Sequence, residues 1–143
     1  MKWFGGILSI VITGLLFTAC SQGGYGEPET DPNHVIDFSD STYPVIEITT
    51  PTDNQEFKSG NVINISGKIT DNSLYQGTIN IKDEGTGYSV KDQVYEIHGL
   101  SSYNYSLSYT PSVTKTTNYI ITVEFEDHGF NKISKNVKVK VSP

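Results

Sequence analysis

The residue with the clearest chemistry is Cys20, the single cysteine among 143 residues. Lys2 supplies a positive start, residues 7–17 form an apolar stretch broken only by Ser9, Thr13 and Gly14, and the small pair Thr18-Ala19 runs directly into the thiol. That order is the cleavage pattern of an export signal. A cut before Cys20 places a nucleophilic sulfur at the new N-terminus, where it becomes an attachment point for lipid. The apolar stretch is shorter than the roughly 20 residues that span a bilayer, which argues against an uncleaved membrane helix. A plain secretory signal would instead leave an exported thiol without a partner.

Other residue types that could do chemistry are scattered. Asp71, Glu126 and Asp127 could offer oxygens to calcium, but Asp at turns commonly accepts backbone N–H groups, and that is the expected role of Asp71 and Asp127. His34, His98 and His128 lack helical or hairpin ligand spacing, so zinc is not expected, and His128 reads as a solvated loop residue. Glu124 and Glu126 read as a solvated pair on an outward strand face. No nucleophile-elbow motif occurs. These residues therefore predict no catalytic residue, no metal, no cofactor and no enzyme.

Composition narrows the partners. The formal charge is −6 and arginine is absent, which leaves the chain poorly equipped to neutralise a phosphate backbone. Nucleic acid is set aside as a partner. With Cys20 acylated no disulfide can form, so an exported fold of roughly 120 residues must rest on core packing.

The elements that must position these groups begin after a change in composition. Residues 20–43 carry Gly23, Gly24, Gly26, Pro28 and Pro32 among the acids Glu27, Glu29, Asp31, Asp37 and Asp40. They predict a solvated tether spanning roughly 25 to 30 Å. Residues 34–38 are its one apolar interruption, able to pack on the domain or form a short strand. From residue 44 to 143 the chain alternates apolar and polar residues in short runs, the signature of half-buried strands. Strands are expected at 45–49, 62–70, 74–82, 88–90, 93–98, 103–109, 119–125 and along the last segment through Val141. Asp71-Asn72-Ser73 is expected to turn the chain between two of them. Tyr103, Tyr105, Leu107 and Tyr109 share one face and are expected in the core. Tyr119 is expected to bury its ring and place its hydroxyl on a backbone group. The fold class is all-β, an immunoglobulin-like β-sandwich of about seven antiparallel strands. Loops would carry binding: Asp83, Glu84, Gly85, Thr86 and Gly87; residues 98–102; and Asp127, His128, Gly129, Phe130 and Asn131.

Leu16-Phe17-Thr18-Ala19-Cys20 resembles the lipobox of bacterial lipoproteins, with Phe17 where leucine is usual, and looks like the looser form of Bacteroides-type lipoproteins. Residues 44–48, 60–67, 69–71 and 118–123, followed by Asp127, Gly129 and Asn131, resemble bacterial immunoglobulin-like domains, especially short Bacteroides-type lipoproteins with one such domain. The resemblance implies acylation of Cys20, such as by palmitate, after removal of residues 1–19, and a location in the cell envelope at the outer membrane. It leaves open which membrane face carries the domain, and it implies no established activity. Asp40-Ser41-Thr42 resembles a short acceptor motif for O-glycosylation, with Ser41 as acceptor. The expected role is non-catalytic, with the membrane bound through Cys20 and a protein or glycan as partner. The alternative is a glycan-binding accessory lipoprotein of a nutrient-uptake system.

Overall fold

The computed structural model describes residues 36–143, so the expected signal, Cys20, His34 and most of the expected tether lie outside the described residues. Six strands follow in order: β1 (Val45–Thr50), β2 (Gln55–Lys58), β3 (Ile63–Asp83), β4 (Ser89–Tyr109), β5 (Thr117–Asp127) and β6 (Lys132–Ser142). No helix occurs among the described residues. The strands form one hydrogen-bonded sheet in the order β1-β3-β5-β6-β2, with β4 also paired to β3.

That sheet curls because β3 and β4, each 21 residues long, bend together. Before the bend, β3 pairs with β1 and with the second part of β4; after it, β3 pairs with β5 and with the first part of β4. The register shifts between Thr70 and Leu74, where Asp71-Asn72-Ser73 lies. Gly99 sits at φ 69°, near the matching corner of β4, in backbone that a residue with a Cβ rarely adopts. The two halves of the sheet then face each other as the all-β sandwich expected from the alternation.

The faces follow the expected periodicity. Ile63, Ile65, Ile69, Ile79, Ile81, Ile121, Val123, Phe125, Val139 and Val141 point inward and are buried. Burying such a side chain contributes about 1.5–3 kcal/mol relative to exposure, and a slip of one residue would turn the whole set outward. Across the core the rings of Tyr105 and Phe125 lie 5.4 Å apart, and the Tyr105 hydroxyl donates to the carbonyl of Glu47 at 2.7 Å. Glycine is required on the facing strand: a Cβ at Gly67 would strike the Glu47 carbonyl and Tyr105, and one at Gly77 would strike the Phe125 ring.

Several local expectations change. Asp71-Asn72-Ser73 bends β3 rather than ending it, because pairing with β4 resumes at Leu74. The three runs expected within residues 88–109 merge into β4, and β2 was not anticipated. The antiparallel expectation also yields at β2, which runs parallel to β6. Tyr119 is buried as expected, but its hydroxyl meets the side chain of Tyr109 rather than a backbone group. The backbone bond belongs to Tyr105.

Candidate functional site

Functional groups collect at the two ends of the sandwich. At the bend, residues 36–44 form a strap across the β5–β6 turn rather than a strand. The Asp37 N–H donates to the His128 carbonyl at 3.2 Å, the Asn131 side-chain amide donates to the Asp40 carbonyl at 3.1 Å, and the rings of Phe38 and Phe130 lie 5.8 Å apart. Gly129 permits this approach, since a Cβ there would lie 3.0 Å from the Cβ of Asp40.

Under the strap, one carboxylate oxygen from each of Asp40, Asp71 and Asp127 lies within 4.8 Å of the others. Asp127 is fully buried and accepts from the Asn131 N–H and side-chain amide, each at 2.9 Å. Asp71 Oδ1 accepts the Ser73 N–H at 2.9 Å, while its Oδ2 is buried with no hydrogen-bond partner. Burial raises the Asp71 pKa above the usual carboxylate value, the Ser73 N–H opposes that rise, and the charges of Asp127 and Asp40 add to it. Both aspartates singled out from the sequence therefore accept backbone N–H groups, Asp127 at the β5–β6 turn and Asp71 at the bend within β3. A hard cation draws on such oxygens, and the set it could use here includes Asp40, from the expected tether. Glu126 turns instead toward Lys132, at 3.5 Å, and with a side chain only 13% exposed it is less solvated than expected.

His128 corrects its expectation, being buried at 2% exposure. β5 continues through Asp127, and the His128 N–H donates to the Ser73 carbonyl at 3.0 Å. Its ring Nδ1 lies 3.1 Å from the Ser73 hydroxyl. The bend of β4 brings in His98, whose ring is 5.6 Å from that of His128, and Tyr75 lies 4.9 Å from His98 and 5.1 Å from His128. Linear spacing had separated these histidines because the ladder that joins them pairs residues distant in the chain.

At the other end, Asp83, Glu84, Gly85, Thr86 and Gly87 form the expected loop. Asp83 Oδ1 accepts the N–H groups of Gly85 and Thr86 at 2.8 and 2.9 Å, and Gly87 adopts φ 77°. The loop and residues 115–118 enclose a cleft of about 320 Å³. Glu84 and Asn118 also line a neighbouring cleft of about 390 Å³, with Asn54, Glu56, Lys138 and Lys140. Ion pairing with Lys138 and Lys140 holds the carboxyls of Glu84 and Glu56, respectively, below the usual range. Hydroxyl, amide, carboxylate and ammonium groups thus line one polar end. The third expected loop, residues 98–102, lies inside β4. Ser41 is exposed in the strap, just before the Thr42 N–H that donates to Asp40 Oδ1 at 2.8 Å.

No family model matches the chain, and no curated protein matches it. Among solved structures, an engineered protein is similar at 14% identity with a TM-score of 0.51, over 70% of this chain and 20% of that one. The chain thus spans about a fifth of that protein's length. A superoxide reductase (neelaredoxin) from Ignicoccus hospitalis is similar at 10% identity with a TM-score of 0.50, over 71% of this chain and 81% of that one. At such identities the likeness concerns the fold alone. It nevertheless corrects the expectation that the chain is no enzyme: an enzyme shares this fold, so the absence of motifs along the strands gives no ground for excluding catalysis.

Proposed function

We propose that this chain is a lipid-anchored binding module of the bacterial cell envelope, held at the outer membrane by acylated Cys20. In this reading residues 1–19 are removed as a signal peptide, and the lipobox at residues 16–20 resembles that of Bacteroides-type lipoproteins. The observation that carries the reading is directional. The strap enters the sandwich at the bend end, so an anchored N-terminus leaves the clefts around residues 83–87 pointing away from the lipid. Their mixed polar lining suits a hydrated protein or glycan surface. Cys20→Ala should move the protein from the membrane to the soluble fraction; retention in the membrane would overturn the anchor.

A second reading, glycan binding in support of nutrient uptake, is favoured by Tyr88. This ring is 76% exposed and follows the 83–87 loop directly, with the Tyr88 carbonyl accepting the Asp83 N–H at 2.9 Å. Tyr88→Ala should abolish retention on a glycan array without lowering the melting temperature. Binding unchanged by that substitution would remove Tyr88 from the site. Ser41 is the proposed glycan acceptor, and an intact mass without added hexoses would dispose of that assignment.

A further inference from the structure

We infer that the strap end of the sandwich rests directly on the lipid surface, so that the domain is seated on the bilayer rather than merely tied to it. The inference builds on the proposed anchor at Cys20. Six large apolar side chains are exposed at this end: Ile36, Phe38, Tyr43, Val45, Leu100 and Phe130. Among the described residues, the far end exposes Val62, Tyr88 and Val90 of this kind.

Phe38 and Phe130 form an aromatic pair in this group, at 81% and 49% exposure. The Asp37 N–H holds the strap to the His128 carbonyl, and Phe130 adopts φ 63°, an uncommon conformation for a bulky residue. The turn thereby holds an aromatic ring out beside Phe38 instead of folding it into the core. Aromatic and aliphatic groups presented together bury at the boundary between headgroups and acyl chains.

The chain itself points to a lipid surface as the occupant. Residues 20–35 connect the proposed acyl group to Ile36, so the lipid-held terminus joins the fold at the face that carries these side chains. Even fully extended, that segment spans at most about 55 Å. Asp37, Asp40, Asp71 and Asp127 lie at the same end, and their charge favours zwitterionic over anionic headgroups.

The test is Phe38→Trp in the full, acylated protein reconstituted into phosphatidylcholine vesicles, with Tyr88→Trp as the far-end comparison. Trp3 precedes Cys20, so the introduced indole is the only one in the mature chain. Quenching by brominated lipid should be several-fold stronger for Phe38→Trp than for Tyr88→Trp, with a blue-shifted emission. If Phe38→Trp fails to fold, Leu100→Trp reports on the same end. Equal or negligible quenching in chains that float with the vesicles overturns this inference alone. A blue shift without lipid quenching places the ring against a second copy and also overturns it. Failure to float overturns the anchor, and the seating with it.

Discussion

Asp71 brings a carboxylate into a corner already holding Asp40 and Asp127, and burial disfavours its charged form further. A carboxyl whose folded pKa is raised binds its proton more tightly in the folded state, so stability falls as pH rises through that pKa and stays lower at neutral pH. Asp71→Asn keeps an acceptor for the Ser73 N–H while removing the charge. It should raise the melting temperature at pH 7 by on the order of a few degrees and lose that gain at acid pH. A lower melting temperature at pH 7 would refute the repulsion. Tyr105→Phe removes the donor to the Glu47 carbonyl and should cost about 1–3 kcal/mol in denaturant unfolding. At Tyr119, burial first and the Tyr109 hydrogen bond second push the pKa from 10.0 up to about 12. The unfolded tyrosine ionises first, so this contribution is complete below pH 10 and is lost as pH rises toward about 12. Circular dichroism across that interval should show alkaline unfolding; a flat response would contradict it.

The long β3/β4 ribbon decides the architecture at the scale of elements. Gly77 faces the Phe125 ring with no room for a methyl group, so Gly77→Ala should lower stability by about 1–3 kcal/mol through overpacking. Unchanged denaturant unfolding would refute that contact. The alternation at Ile63, Ile65 and Ile69, at Ile79 and Ile81, and from Tyr119 to Phe125 made the buried faces legible, because side chains on a strand alternate sides. Asp71-Asn72-Ser73 carries turn residues, yet only the neighbouring strand decides whether such residues reverse a chain or bend it. β2 escaped notice because four residues with one inward Phe57 give little periodicity, and its partner β6 comes much later in the chain. The same non-local pairing hid half of the bend-end cluster. Asp71 and Asp127 stood out as turn acids, while Asp40 and the approach of His98 to His128 arise only when strap, bend and hairpin meet.

At the scale of the molecule, the fold separates two environments. One end receives the strap and carries exposed apolar side chains above a partly buried acidic and histidine cluster; the other carries polar clefts around residues 83–87. An anchor at Cys20 turns this polarity into an orientation, with the strap end toward lipid and the clefts toward a partner. The anchor is therefore the central claim, and mass spectrometry of the mature N-terminal peptide tests it most directly. The account predicts a peptide beginning at Cys20 and carrying acyl chains. An intact Met1, or a mature end with a free Cys20 thiol, would contradict it.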